Sequence, residues 1–203
     1  MNDSWMPALL VTIAAYLTGS IPCGQLLAHG VLGVDLRQAG SGNIGAANAA
    51  RTGGPALGLA TLAADMLKAC LPVWAAARLV DVPAVAAAAA VAAVLGHAYP
   101  LYTRFRGGGK GVATTAGGLL PLAPGAVLAA TAVFLLFVGI SRRASVGSLA
   151  AALTLPVAVY LTTGAWPAAA AALAAGIIFV RHAANIRRLV AGTEPAFRFG
   201  RQR

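Results

Sequence analysis

Residues 40–51 (GSGNIGAANAAR) separate two long apolar segments and carry groups that could bind an anion. The glycines allow neighbouring backbone N–H groups to turn toward one point, and such nests bind anions. Arg51 adds a planar cation whose donors match a phosphate or a carboxylate. Because bare amides are costly in lipid, we expect this stretch at a water-facing surface or in a protein-lined cavity. The sequence predicts a phosphate-binding loop, with a plain interhelical turn as the alternative. The further candidates in it are Gly40, Ser41, Gly42, Asn43, Gly45 and Asn48.

The same stretch also satisfies the pattern G-x-G-x-x-G through Gly40, Gly42 and Gly45, and Asp65 follows at the spacing of a dinucleotide-binding fingerprint. That fingerprint requires a preceding strand and a βαβ unit. Neither flank has such a pattern, so we do not expect a Rossmann site.

The composition identifies the elements that must position these groups. Of 203 residues, 59% are hydrophobic and 10% are charged, which is typical of a polytopic membrane protein. Open sheets cannot span a bilayer, and a barrel would show alternating segments of about 10 residues. We therefore predict an all-α membrane protein with one transmembrane domain over residues 1–203. The N-terminal MNDSWMP lacks the basic region of a signal peptide, so the first apolar run should stay in the membrane. Cys23 and Cys70 are expected to be small buried hydrophobes.

Seven apolar segments of roughly spanning length can be drawn. They cover residues 5–29, 54–80, 82–102, 112–122, 125–140, 145–163 and 166–180. The fourth is short and rich in glycine, which is compatible with a half-span or a tilted helix.

The basic residues predict the orientation of these segments. Of the 15 Lys and Arg residues, all except Lys68 and Arg78 lie in alternate connections or in the C-terminal segment. They are Arg37, Arg51, Arg104, Arg106, Lys110, Arg142, Arg143, Arg181, Arg187, Arg188, Arg198, Arg201 and Arg203. The positive-inside rule then places the N-terminus outside and the C-terminus in the cytoplasm, in the cell membrane. Fusing the fourth and fifth segments would break this pattern, so seven spans are favoured over six. The net charge of +10 follows from topology, and nucleic-acid binding is not needed to explain it.

A second polar stretch, residues 104–115 (RFRGGGKGVATT), resembles a Walker loop only superficially. It offers backbone N–H groups, a helix start and a point charge to a phosphate. The candidates are Gly108, Gly109, Lys110, Gly111 and Thr114. A flexible basic loop that touches lipid headgroups is the alternative.

A third stretch, residues 181–194 (RHAANIRRLVAGTE), places His182 and Asn185 on one helical face and Asn185 and Arg188 on an overlapping one. Juxtamembrane cations often do no more than fix topology. The gathering of three such stretches on one membrane face favours a shared site.

Asp65 and Lys68 lie within the second segment at i, i+3. Ionisable groups at that depth are normally paired. They predict either a structural ion pair or a pair that aligns a cation of the polar site, and His97 is expected to be a structural cap.

These motifs resemble the three signature stretches of the bacterial acyl-phosphate:glycerol-3-phosphate acyltransferase family, PlsY. The resemblance rests on GSGNIGAANAAR, on GHAYP followed by FRGGGKGVAT, on RHAANIRRLVAGTE and on DMLKACLPV. It covers nearly the whole chain, up to Glu194. Two departures are Ala47, where the family commonly has Thr, and an additional glycine before Lys110.

The resemblance implies transfer of an acyl group from an acyl phosphate to the 1-hydroxyl of sn-glycerol 3-phosphate. The products are 1-acylglycerol 3-phosphate (lysophosphatidic acid) and inorganic phosphate, in the first acylation of phospholipid synthesis. It implies as partners the two substrates, membrane lipid and an enzyme that makes acyl phosphate. We expect no cofactor, and no metal because acidic residues are few and no Cys or His residues are paired. The resemblance implies catalytic roles for Ser41, Arg51, Lys110, His182 and Asn185, and substrate contacts for Asn43 and Arg188. The proton acceptor is either His182 or the substrate's own phosphate.

Two other functional classes fit the sequence less well. A metal-dependent lipid phosphotransferase needs clustered carboxylates, and the five acidic residues are scattered. A transporter of a small phosphorylated solute should have its site near the midplane between related halves, whereas the motifs gather at one face.

Overall fold

The structure, a computed structural model, describes residues 5–196 and is all-helical over that range. Its helices are α1 Trp5–Gly19, α2 Cys23–Leu32, α3 Ala46–Gly53, α4 Pro55–Leu79, α5 Pro83–Ala98, α6 Val112–Leu119, α7 Pro124–Ser141, α8 Ala144–Thr163, α9 Ala165–Arg181 and α10 Ala183–Val190, with a 3₁₀ turn at Leu101–Thr103. Three helices begin with proline, namely α4, α5 and α7. Proline suits a first helical position because its missing N–H has no helical partner there.

Five segments of the described chain are long and apolar enough to cross a membrane. They are Trp5–Leu32, Pro55–Leu79, Pro83–Thr103, Pro124–Ser141 and Ala144–Thr163. A sixth arises if Ala165–Arg181 and Ala183–Val190, which meet at a 60° bend, form one span.

The predicted fourth segment, residues 112–122, contains a helix short enough for the half-span that the sequence left open. Its helix, α6, has eight residues and is therefore about 12 Å long, well short of a bilayer core. The all-helical membrane class is confirmed, while seven spans and the orientation stay predictions. Met1, Arg198, Arg201 and Arg203, which entered the orientation argument, lie outside the described residues.

The bundle is closed by small residues. Of the five spanning segments, the one that contains α5 is the most buried, and most of the buried residues of α5 are alanine. Gly19 of α1 lies against the Ala93 backbone, and Gly96 lies against the Tyr16 carbonyl, so closely that a Cβ at either glycine would collide. Such small-residue contacts let membrane helices approach closely where lipid provides no hydrophobic drive between them. Large apolar side chains such as Leu161 face outward instead.

Candidate active site

A cavity of about 460 Å³ collects the three polar stretches at one place. Its wall is formed by the loop before α3 and α3 itself, by the loop before α6, and by the junction of α9 and α10. The predicted site residues that line it are Gly40, Ser41, Asn43, Gly45, Asn48, Arg51, Lys110, Gly111, His182, Asn185 and Arg188. The convergence expected from the sequence is therefore present in the structure.

Three helices begin at the cavity wall. Gly45 and Ala46 at the start of α3, Gly111 and Val112 at the start of α6, and Ala144 at the start of α8 all line it. The first N–H groups of a helix have no partner within the helix, and the macrodipole places partial positive charge there. Each helix start is thus suited to an anion, and the cavity has three of them.

The charged side chains add to this positive field. Arg51, Lys110 and Arg188 line the cavity together with one acidic residue of the C-terminal stretch, Glu194. Burial lowers the pKa of Lys110 to about 8; Glu194 opposes that shift, whereas Arg188, Arg51 and Arg181 reinforce it. Burial also lowers the pKa of Arg51. Asp65 also lines the cavity but is paired with Lys68, so three cations and Glu194 leave an excess of positive charge that a phosphate dianion can neutralise.

Asn48 holds the first loop in shape. Its side chain is 2% exposed, and its Nδ2 donates to the carbonyls of Leu36 (3.1 Å) and Ala39 (2.9 Å). Its Oδ1 accepts from the Ser41 N–H at 2.8 Å. Gly40, at φ +56°, passes so close to this amide that a side chain there would collide with it. Asn48 therefore positions the backbone at Ser41 although it also lines the cavity.

His182 lies at the break between α9 and α10 and is buried. Its Nδ1 is 2.8 Å from the Ile178 carbonyl oxygen. Because a carbonyl can only accept, Nδ1 carries the proton and Nε2 is the acceptor nitrogen of the neutral ring. The 60° bend at this residue turns α10 so that Asn185, one turn later, also reaches the cavity wall.

Glu194 joins α10 to the start of α8. Its Oε1 accepts from Ser145 Oγ (2.7 Å) and Asn185 Nδ2 (2.6 Å), and its Oε2 accepts from Arg188 Nε (2.8 Å). Its main-chain carbonyl accepts from Arg143 Nε at 3.0 Å. Burial raises the pKa of Glu194, but the three side-chain hydrogen bonds outweigh it and the net shift is downward. An ionised Glu194 thus fixes Asn185 and Arg188 at the cavity wall.

An apolar groove of about 270 Å³ adjoins the cavity. The two share five lining residues, Leu62, Val112, Ala113, Phe134 and Ser148. From this boundary the groove continues between α4, α6, α7 and α8 to Val127 and Leu155. Leu155 lies seven positions after Ser148 along α8, so the groove extends about 10 Å into the bundle. The combined site can therefore hold a charged head and an apolar tail.

Comparison with known proteins decides the family. The family model described as glycerol-3-phosphate acyltransferase matches residues 9–192. The chain belongs to this family. Among curated relatives named glycerol-3-phosphate acyltransferase, the protein of Syntrophotalea carbinolica is 46% identical over 191 residues, covering 93% of this chain and 97% of the relative. That of Myxococcus xanthus is 46% identical over 189 residues, covering 92% and 98%.

Two solved structures are similar to the whole acyltransferase bundle. Both are crystal structures of PlsY, an integral membrane glycerol 3-phosphate acyltransferase. The glycerol 3-phosphate form has a TM-score of 0.89 at 34% identity, covering 95% of this chain and 96% of that one. The lysophosphatidic acid form has a TM-score of 0.87 at 32% identity, with the same coverage. The predicted membership in this family is confirmed.

Four predicted contacts of the acyltransferase lie away from the cavity wall: Gly42, Gly108, Gly109 and Thr114. Gly42 forms an exposed turn at φ +71°. Thr114 is fully buried in α6. A Cβ at Gly108 would strike the Ala98 carbonyl, and one at Gly109 would strike the His97 ring. The structure therefore gives these two loop glycines a packing role, and their contact with substrate stays a prediction.

Three further features of the motifs lie at the cavity wall. Asn43 Oδ1 accepts from the Gly45 N–H at 2.9 Å, which closes a local turn at the start of α3. Ala47, where the family commonly has a hydroxyl, lines the cavity. Lys110 reaches the cavity despite the additional glycine before it.

Sequence reasoning missed the roles of Glu194 and Ser145. The available signal for Glu194 was that it ends a basic stretch in a chain with only five acidic residues. Ser145 gave no such signal, because a serine after two arginines in a short turn is ordinary. The start of α8 belongs to the site because the bundle places it beside the C-terminal stretch, and the sequence alone does not show that contact.

Three acceptor atoms surround the ammonium group in the buried ion pair of the acyltransferase. Lys68 Nζ is 2.8 Å from Asp65 Oδ1, 2.8 Å from the Ile21 carbonyl oxygen and 2.9 Å from His97 Nδ1. These three acceptors match the three donors of an ammonium group. Asp65 and His97 line the inner end of the cavity, whereas Lys68 does not.

Proposed function

We propose that the chain transfers a long acyl group from an acyl phosphate to the 1-hydroxyl of sn-glycerol 3-phosphate. The observation that carries this proposal is the continuity of a cationic cavity with an apolar groove. Both substrates carry a phosphate, and one carries a long chain. Family membership supplies the acceptor and the acyltransferase class; the acyl-phosphate donor and the lysophosphatidic acid product belong to the proposal.

In this proposal the positively charged part of the site binds the phosphates. Arg51 offers a planar fork and Lys110 a point charge, and the starts of α3, α6 and α8 offer unpaired N–H groups. Charge-assisted hydrogen bonds of this kind are roughly twice as strong as neutral ones. In the proposed complex these groups hold the two phosphates side by side, while the groove takes the acyl chain.

The acyl transfer is a direct displacement. The 1-hydroxyl oxygen attacks the carbonyl carbon, the bond from that carbon to the phosphate oxygen breaks, and the hydroxyl proton ends on the released phosphate. A mixed anhydride is already activated, so holding hydroxyl and carbonyl together supplies much of the rate. Cations and N–H donors stabilise the charge that develops on the oxyanion and the leaving phosphate.

In the proposed mechanism His182 and Asn185 orient the hydroxyl and the carbonyl. The Ile178 carbonyl holds the His182 ring with Nε2 as its acceptor nitrogen. Two groups can accept the proton, His182 Nε2 and the dianionic phosphate of the donor. Asn185 has one amide hydrogen bond committed to Glu194, so its orientation is fixed before substrate binds.

The experiment supplies purified protein in non-ionic detergent with palmitoyl phosphate and glycerol 3-phosphate. We expect equimolar release of phosphate and formation of 1-palmitoylglycerol 3-phosphate, with phosphate release strongly reduced when glycerol 3-phosphate is omitted. Product formed from palmitoyl coenzyme A but not from palmitoyl phosphate would overturn the donor assignment. Uptake of a phosphorylated solute into proteoliposomes without any product would favour the transporter instead.

We also propose that the cavity faces the cytoplasm. Single cysteines at residues 41, 106 and 142 should be protected from an impermeant thiol reagent in intact cells and should react after lysis. The motive is the one-sided distribution of cations. Labelling of residue 106 in intact cells would show that the protein has the opposite orientation.

A further inference from the structure

The loop that carries Lys110 has few bonds of its own. Between the 3₁₀ turn Leu101–Thr103 and α6 the chain forms no regular helix. Of the three glycines before Lys110, Gly109 donates its N–H to the His97 carbonyl at 3.0 Å. Without further anchors, Lys110 would sit on a segment tied to α5 through one backbone hydrogen bond.

Arg181 supplies the second anchor from the opposite side. Its Nε donates to the Gly109 carbonyl at 3.0 Å, and its Nη2 donates to the Gly108 carbonyl at 2.6 Å. The guanidinium carbon also lies 5.4 Å from the centre of the Tyr99 ring. A fork that binds two successive carbonyls while stacking on an aromatic face is a geometry that lysine cannot reproduce.

The position of Arg181 in the chain links this anchor to the other half of the site. It is the last residue of α9, and His182 follows it at the bend into α10. Lys110 follows Gly109 directly. One side chain therefore holds the cation loop against the helix end that carries His182. Arg181 itself is not among the residues that line the cavity.

We infer that Arg181 is a positioning residue that fixes the Lys110 loop relative to His182, beyond the topological role of a juxtamembrane cation. This inference rests on the proposed function. It predicts that loss of the fork leaves the protein folded and the acyl groove intact, and impairs the step that depends on the placement of Lys110.

The test compares Arg181→Ala and Arg181→Lys with Arg187→Ala, an exposed arginine on α10 that has no assigned role. We expect kcat/KM for glycerol 3-phosphate to fall roughly 10- to 100-fold in both Arg181 variants, because two charge-assisted hydrogen bonds are lost or distorted. The control should stay within about twofold of wild type, as surface substitutions usually do.

Two further readouts separate positioning from a general structural role. First, a released loop exposes Lys110 to water, so the loss of kcat/KM above pH about 8 should move to higher pH in the Arg181 variants. Of the charged and titratable groups that face Lys110, Glu194, Arg188, Arg51 and His182 are unchanged in both variants. Arg181 itself also lowers this pKa, so the shift is measured in Arg181→Lys, which keeps that charge. Second, guanidinium added to Arg181→Ala should restore part of the activity, whereas ammonium should not.

The inference is overturned if both Arg181 variants match Arg187→Ala in kcat/KM and pH profile. If Arg181→Ala does not fold, Arg181→Lys decides alone, and normal kinetics in that variant are contrary to the inference. Failure of the proposed function is distinguishable, because wild-type protein would then give no acylglycerol phosphate.

Discussion

Two lysines of the same chain, Lys68 and Lys110, are in opposite situations. Lys68 lies in the middle of α4, buried, with a carboxylate, a carbonyl and an imidazole around its ammonium group. Lys110 follows a glycine loop at the cavity, beside Arg51 and Arg188, where burial lowers its pKa to about 8. Each is partly or wholly withdrawn from water, so composition alone would treat them alike.

The two lysines differ in which groups neutralise their charge. Around Lys68 the protein supplies every acceptor, which is how buried charges are tolerated in a membrane bundle. Around Lys110 cations outnumber carboxylates, and the missing negative charge must come from a ligand. A buried cation whose acceptors all come from the protein is a structural element. A cation in a region where cations outnumber carboxylates indicates a binding site.

The largest effect is expected from removing Arg51 or Lys110. Losing one partner of a desolvated, hydrogen-bonded charge pair costs about 2–5 kcal/mol, or roughly 30-fold to several thousand-fold in rate. Arg51→Lys should remain impaired because it keeps the charge but loses the fork. Steady-state kinetics on folded, detergent-purified variants measure this.

The matched control for that experiment is Arg142→Ala, an exposed arginine in the turn between α7 and α8. It should stay near wild type. If Arg51→Ala and Lys110→Ala keep more than half of the wild-type turnover and specificity, these loops are topological anchors and the site lies elsewhere.

Substituting Lys68 should lower the stability of the protein, whereas substituting Lys110 should lower its rate. Removing one partner of a buried pair is expected to cost about 3–5 kcal/mol because it leaves an uncompensated charge. Thermal inactivation of Lys68→Met or Asp65→Leu in detergent should occur at a markedly lower temperature. The double substitution should recover much of this loss, since two apolar groups need no partner. Single variants with normal heat resistance but lost turnover would mean that the pair aligns the reacting groups.

A several-fold effect is expected from pH. Lys110 is charged below its pKa of about 8 and neutral above it, so phosphate affinity falls as pH rises through that value. The profile of kcat/KM for glycerol 3-phosphate reports the free enzyme and should fall toward tenfold per pH unit above pH about 8. Lys110→Arg, if active, should lose this limb because arginine stays charged. A wild-type profile that stays flat to pH 10 would contradict the role given to Lys110.

The smallest effect is expected from metal removal. In residues 5–196 no three His, Cys, Asp or Glu side chains come together as a metal site would require. Cations of the protein supply the positive charge in the proposed mechanism, so activity in EDTA should equal that in buffer. Activity abolished by chelator and restored by Mg²⁺ or Mn²⁺ would point to metal-assisted chemistry.

Much of this site could be predicted, because its groups lie in short segments whose composition is out of place between apolar helices. Arg51, Lys110 and His182 each stand in such a segment. Glu194 and Ser145 could not be predicted, since their meaning depends on a contact between α8 and the C-terminal stretch. Arg181 was visible only as one more juxtamembrane cation. The end of α6 at Leu119, three residues before the predicted end of that segment, could not be predicted because an apolar run with glycines and a proline does not reveal where the helix stops.

The alanine and glycine contacts between helices also determine which positions can change over evolutionary time. At Gly19, Gly96 and Gly117 an added methyl group would meet the backbone of a neighbouring helix, which cannot move aside as a side chain can. Outward residues such as Leu161 and Leu79 meet only fluid lipid, which accommodates almost any apolar shape. Substitutions are therefore expected to accumulate at the large hydrophobic residues on the outside, while the glycines at these three helix contacts cannot be exchanged.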